Sequence, residues 1–428
     1  MILLKNATFI DWQTLEFKQT DILVEEGENG KLYFSGEDPA SFKSSQGLVS
    51  EILDCNGKIV TKSFAVGHHH VYSALARGMG APKKNPENFY EILKYVWWTL
   101  DKSLDKDMIE ASALSTAIAC AKAGSTFAVD HHASPYFIEG SLEIIAEAFE
   151  RVGVSHLLCY EITDRDGIEK AEQGLAETES YIKNRQALIG LHASFTVGNN
   201  TMKKAADLMH KYKSGFHIHV AEDRYDQDHS LINYGKRVIE RLADYDVLNS
   251  SKTILGHCLH LSENERKIIR NSKSWVVQNT ESNLNNNVGY FNAEGLGHRL
   301  LLGTDGMHSD MLRSAQQAFF VGQGFDKIDY PGAYQRFRNI HNYLKENNFK
   351  GDSENNLVIL DYNSPTPINS ENFLGHFIFG FNSADIQYVI SGGKLIVKNK
   401  IVQTVNEKET LEFAKEQAKK LWKKMKNS

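Results

Sequence analysis

Between about residues 57 and 355 the chain alternates short apolar runs with stretches of helical character, and this alternation leaves few folds open. The strand candidates are 57–66, 125–130, 154–160, 187–191, 215–218, 252–255, 274–277 and 299–302. Runs such as 142–151 and 264–271 between them read as helices. Eight strands separated by helices, with gaps long enough for right-handed crossovers, predict a (β/α)8 TIM barrel within an α/β fold.

The two ends of the chain read differently. Residues 1–4, 21–24 and 31–34 are short apolar runs, and Glu26-Gly27-Glu28-Asn29-Gly30 has the composition of a hairpin turn. Residues 387–397 repeat the pattern around Gly392-Gly393. The simplest pairing joins these segments into one small β-sandwich domain, made of residues 1–56 and 356–406, with a metal-dependent barrel over 57–355 inserted into it. Residues 407–428 form an amphipathic helix, with Leu411, Ala414, Ala418, Leu421, Trp422 and Met425 on one side. Its apolar stripe is narrow, so docking on the protein's own surface is expected rather than a membrane or partner role.

Barrel enzymes keep their reactive groups at the C-terminal ends of strands. Here those ends carry His68-x-His70, His192, His217-x-His219-x-x-Glu222, His257 and Asp305. Residues i and i+2 of an extended chain share a face, so His68 and His70 can reach one ion while His69 points away. Any one His-x-His pair carries little weight, but five of eight strand ends bearing His, Glu or Asp is not a chance scatter. Imidazole and carboxylate donors suit a divalent ion with a position left for water, zinc foremost, with iron or manganese as alternatives. His68, His70, His219 and Asp305 are the expected ligands. Such an ion lowers the pKa of its water toward neutrality. Glu222, three residues past His219, stands beside the ion as a proton shuttle. His257 is placed to hold the water or a developing oxyanion. His217 is assigned to support or packing. Among flanking residues, Arg77 can hold a substrate carbonyl or carboxylate or else pin its loop. Trp97 and Trp98 can cover a planar substrate or fill the core of their helix. Asp130-His131-His132 offers a weaker second-ion candidate.

The bulk properties bound the partners. A formal net charge of -6 argues against nucleic acid or an anionic membrane surface. Four scattered cysteines with no C-x-x-C pair fit a reducing compartment. With no signal-peptide pattern at the N-terminus and no run near ~18 uncharged apolar residues, a cytoplasmic protein with a small-molecule partner is expected.

The ordered motifs resemble those of the amidohydrolase superfamily, in its mononuclear deaminase and chlorohydrolase-like branch, and are most similar to SsnA-type aminohydrolases. The resemblance is carried by residues 67–79, 129–135, 159–167, 190–196, 217–223, 255–258, 281–284 and 303–306. It implies metal-dependent hydrolysis of a non-peptide C–N bond, foremost deamination of a purine-, pyrimidine- or triazine-like amino-heterocycle. It also implies the ligand and acid–base roles given above, substrate contact by His192, and a homodimer. Two departures stand out. Lys62-Ser63 replaces the usual Pro-Gly before the first strand. Gln278-Asn279-Thr280 replaces His-Asn-Pro after the seventh, which makes Gln278 a substrate-facing candidate.

Alternatives remain at this level. A binuclear relative would need a lysine at the end of strand four, which reads Leu191-His192-Ala193. A cytidine-type deaminase would need P-C-x-x-C, which is absent. Opening of a cyclic amide or amidine would use the same groups as deamination. A catalytically inactive scaffold on the same fold would be expected to have lost ligands, and none is lost.

Overall fold

The eight predicted barrel strands are present in the computed structural model, which describes residues 1–36, 42 and 46–427. Residues 37–41 and 43–45, part of the N-terminal β segment expected over 1–56, lie outside the described residues. The strands are Phe64–His69, Ser125–His132, Ser155–Tyr160, Ile189–Ala193, Phe216–Val220, Ile254–His257, Trp275–Gln278 and Leu300–Leu302. The first three pair in parallel, as do the last five. Bridges Leu158–Ala187 and Ile162–Leu191 join the two groups, and a bridge between His69 and Asp305 closes the ring. Alternate residues separate into two apolar clusters, as buried parallel strands require. Ala65, Phe127, Val129, Leu157, Val277 and Leu301 pack with Ile340, Tyr343 and Leu344 of helix Tyr330–Glu346. Their neighbours Val66, Ala128, Leu158, Val276 and Leu302 pack in the larger cluster with the surrounding helices.

The stretch expected as one strand over 57–66 is two. Ile59–Lys62 belongs to the end sheet, pairing antiparallel with Leu357–Leu360 and parallel with Ile2–Ile10. The barrel strand begins at Phe64, after Ser63. Local contacts explain the division: Thr61 Oγ1 donates to Ile10 O, and the Lys62 ammonium lies 2.9 Å from Asp352. Among the described residues the end sheet has nine strands and draws on both chain ends. Gly392 and Gly393, at φ +56° and +74°, make the turn between Ile386–Ser391 and Lys394–Lys398. Both residues of that turn need the left-handed region that glycine enters freely.

Helix Glu407–Asn427 docks on the barrel, burying Ala414 and Leu421, while Trp422 Nε1 donates to Leu75 O at 2.8 Å. Helical residues 89–103 contain a widened π turn, Leu93–Trp97, that brings Leu93, Trp97 and Trp98 over the strand ends. Among the described residues no helix is long and apolar enough to cross a membrane.

Candidate metal centre

The strand ends place three imidazoles and one carboxylate together. His68 is fully buried, and His70 and His219 are nearly so. His70 Nε2 lies 3.1 Å from His219 Nε2 and 3.2 Å from Asp305 Oδ1, and His68 Nε2 lies 3.8 Å from the same oxygen. Donors about 2.0–2.1 Å from a tetrahedral ion sit about 3.3 Å from one another, so this spacing is that of a ligand set.

The far side of each ring is already engaged. His70 Nδ1–H donates to His131 O at 2.7 Å and His219 Nδ1–H to His192 O at 2.8 Å. His68 Nδ1 pairs with His217 Nε2 at 2.8 Å. Each Nε2 is thereby turned toward its neighbours, the arrangement in which metal-ligating histidines are held by their other nitrogen. His68 Nε2 is buried with no hydrogen-bond partner. Imidazole nitrogens and a carboxylate this close together and out of water are costly unless a positive charge is shared among them. The electrostatics say the same. Burial and the neighbouring histidines hold His68 and His219 well below 6.5. Burial works against protonated His70 too, but the Asp305 carboxylate outweighs it and pulls that imidazole up to about 9. Asp305 is itself held well below the usual carboxylate range by His70, His257 and His68, against the opposing effect of burial. The donor set fits a divalent ion.

Glu222 and His257 complete the chemistry. Burial, reinforced by Asp305 and opposed by His257, pushes the Glu222 carboxyl up to about 7. His257 Nδ1–H donates to Asn283 Oδ1 at 2.7 Å, which aims its Nε2 at Glu222 Oε2 and Asp305 Oδ2, each 3.5 Å away. His257 and Asp305 both sit in left-handed backbone, at φ +64° and +52°. Such conformations in residues other than glycine cost energy and collect at functional sites. Here they turn both side chains off the strand axis toward one point.

Glu222, His70, His219 and Asp305 line a cleft of about 600 Å³, including its open mouth. His192 and Trp97 line it too, as does Trp98, so both tryptophans cover the cleft rather than filling a helix core. Two sequence candidates fall elsewhere. Arg77 is exposed and does not line the cleft. Gln278 is buried, but its amide donates to Thr280 Oγ1 at 2.9 Å and its oxygen accepts from Arg336 at 2.7 Å, so it faces the barrel's own packing. His217 supports His68. The Asp130-His131-His132 run alternates faces, so the three side chains do not share one site, but His131 gathers with His70 and Glu161 in a group whose ligand atoms lie within 4.8 Å of one another. Asp130 accepts from Val71 N, His131 Nδ1 lies 3.2 Å from Glu161, and His132 Nε2 meets Ser134 Oγ.

Sequence reasoning missed Tyr72, Glu161, Arg165 and Asn286 among the lining residues. Glu161 and Arg165 follow strand three directly, so the strand-end rule that located the other groups would have found them. Asn283 stands in the 281–284 motif, but its role depends on where His257 points and so was not assigned from the sequence.

The family model for the amidohydrolase family matches residues 64–332, well over half of the chain. Among curated relatives, a 5-methylthioadenosine/S-adenosylhomocysteine deaminase of Aquifex aeolicus is 26% identical over 95% of this chain and 97% of its own. A 5'-deoxyadenosine deaminase of Methanocaldococcus jannaschii is 25% identical over 97% and 98%. Among solved structures, a zinc-bound adenosine deaminase from Xanthomonas campestris superposes with a TM-score of 0.80 at 15% identity, covering 98% of each chain. Guanine deaminase of E. coli gives 0.76 at 18% identity, covering 93% of this chain and 100% of that one. The two structural likenesses establish a shared fold. Together with the family match across the barrel, the motifs at its strand ends make this chain a member of the amidohydrolase family, an enzyme that hydrolyses C–N bonds.

Proposed function

We propose that the protein is a zinc-dependent aminohydrolase that removes an exocyclic amino group, as ammonia, from a nitrogen heterocycle of the aminopurine class. One observation carries this reading: three imidazole Nε2 atoms and Asp305 converge on a point flanked by Glu222 and His257. The names of the curated relatives, adenosine-type deaminases, favour an aminopurine nucleoside over a pyrimidine or triazine.

The residues present, His68, His70, His219 and Asp305, would hold the ion. When bound there, it supplies a Lewis acid that lowers the pKa of water toward neutrality. The chain's own groups do the rest. Glu222, with a carboxyl near 7, takes a proton from the attacking water and passes it to the departing nitrogen. The water oxygen bonds to the ring carbon, the C–N bond breaks, and ammonia leaves. His257 stabilises the charge that develops on the incoming oxygen. His192 borders the reacting ring, and Trp97 and Trp98 cover its face. The net charge of -6 and four buried free cysteines support a cytoplasmic enzyme acting on small molecules rather than on nucleic acid or membranes. Light scattering tests the homodimer that the family resemblance implies.

The deciding experiment is ammonia release from 5'-methylthioadenosine, 5'-deoxyadenosine, guanine and a triazine, using metal-quantified protein beside a chelated control. Metal-dependent ammonia from one scaffold establishes the activity. One bound metal with no ammonia, but loss of ultraviolet absorbance from a cyclic amide, would replace deamination by ring opening.

A further inference from the structure

The turn that carries Glu222 is built under strain. Ala221, between strand Phe216–Val220 and Glu222, sits at φ +46°, a left-handed conformation that costs energy in any residue but glycine. Both peptide planes beside it are held by other parts of the chain. Its N–H donates to Asp226 Oδ2 at 2.9 Å. Its carbonyl accepts from Leu259 N at 3.2 Å and His260 N at 3.1 Å, on the loop that follows His257. Asp226 is buried in the first turn of helix Arg224–Tyr234, and its other oxygen, Oδ1, accepts from Phe195 N at 3.0 Å, on the loop just past His192. That loop is itself pinned, because the buried Arg241 guanidinium donates to Ser194 O at 2.8 Å and to Val197 O at 2.7 Å. Gln227, next to Asp226, donates to His260 O at 3.1 Å. One carboxylate thus stands among fixed neighbours and ties the loops carrying His192, Glu222 and His257 to one another.

Capping the helix does not account for this side chain. That task falls to Asp223, which accepts from Tyr225 N at 2.9 Å, whereas both N–H groups bonded to Asp226 lie outside the helix. The Glu222 carboxylate, by contrast, is loosely held. Asn286 Nδ2 reaches its Oε1 at 3.4 Å, and His257 Nε2 lies 3.5 Å from its Oε2. Contacts this long do little to fix a direction, so the backbone before Glu222 must set it.

Resting on the deaminase reading above, we infer that Asp226 is a positioning residue for the proton shuttle: it holds Ala221 in its left-handed turn and so aims the Glu222 carboxylate at the reacting atoms. Released from Asp226, Ala221 would relax toward ordinary backbone angles and swing Glu222 with it. A misplacement of about 1 Å is enough to lose about 10²-fold in rate. In this role Asp226 acts through Glu222 rather than on the substrate.

The test is Asp226→Asn in metal-quantified enzyme, with 5'-methylthioadenosine as the probe and a crystal structure of the variant. The amide replaces one acceptor by a donor, so one of the two backbone bonds is lost. The kcat is expected to fall about 10–100-fold, with KM changed by less than about threefold and metal content unchanged. In the crystal, the Glu222 carboxylate should leave its place beside His257 while His68, His70, His219 and Asp305 keep theirs. The same substitution should cost several-fold less in an Ala221→Gly background, because glycine enters the left-handed region freely. A carboxylate serving stability alone would lower the melting temperature on substitution but leave kcat and the place of Glu222 as they are, and that result would overturn the assignment. So would loss of metal, which would move the influence of Asp226 to the ligand set, or an equal loss of kcat in the Ala221→Gly background. Asp226→Ser takes over under the same criteria if the asparagine variant does not fold. Should the wild-type enzyme release no ammonia, the deaminase reading fails, and the position of Glu222 in the variant still decides whether Asp226 aims it.

Discussion

The barrel holds a buried cluster of histidine and carboxylate at each end, and the two clusters differ in one respect. At the C-terminal mouth, His68, His70, His219 and Asp305 turn imidazole nitrogens and a carboxylate toward a common point. At the opposite end, where the barrel meets the end sheet, Asp352 lies between His341 Nδ1 at 2.8 Å and Lys62 Nζ at 2.9 Å. Burial raises the Asp352 carboxyl, but His341 and Lys62 outweigh it and hold it far below its ordinary value. Both clusters are out of water, so each needs a positive charge. The lower one carries its own in Lys62, and the upper one has none of comparable permanence. A buried acidic cluster that includes a lysine is complete as a structural clamp, whereas one made of imidazoles and a carboxylate is complete only with an ion.

The largest expected effect is at the mouth. Asp305→Asn should lower kcat/KM by on the order of 10³-fold or more, together with metal content by elemental analysis. A fully active variant would sink the ligand assignment. Glu222→Gln should retain metal and lose about 10²–10⁴-fold in kcat. If the metal is lost as well, Glu222 belongs to the ligand set. At the other end, Lys62→Met should lower stability by about 3–5 kcal/mol in chemical denaturation, because it leaves the Asp352 charge short of its partner. Its metal content should not change, and a loss of metal there would erase the distinction between the clusters. Asn283→Ala should cost about 10–100-fold in rate with metal retained, since His257 loses the bond that fixes its orientation. Arg77→Ala should change stability by less than about 0.5 kcal/mol and leave turnover unaltered, as expected of an exposed residue that does not line the cleft.

The barrel and its ligand set were legible because both depend on short-range rules. Alternation of strand and helix specifies the fold class, and strand ends specify where reactive side chains gather. Where the reading failed, the deciding contact was remote. Gln278 sits at a strand end but is turned aside by Arg336, which arrives from a helix near the end of the barrel. Arg77 follows the His-x-His motif closely, yet its loop leaves the mouth and carries it to the surface. The division of 57–66 into two strands depends on Asp352 and on the antiparallel pairing with Leu357–Leu360, both far along the chain. Arg165 stands in a motif visible in the sequence. That it pairs with Asp101, from the tryptophan-bearing helix, could be known only from the folded chain.

The bridge between His69 and Asp305 closes the ring of strands at the level of the ion ligands. Three of the four donors therefore straddle a seam, His68 from the first strand, His70 just past its end and Asp305 from the loop after the last, while His219 comes from the fifth strand. An ion bound there acts as a clasp across the joint between the beginning and end of the barrel, and its affinity measures how firmly that joint is shut. During synthesis the early histidines must wait for nearly the whole barrel to emerge before the site exists. A substitution that loosens the last strand, even far from the cleft, should first be noticed as a protein that lets go of its metal.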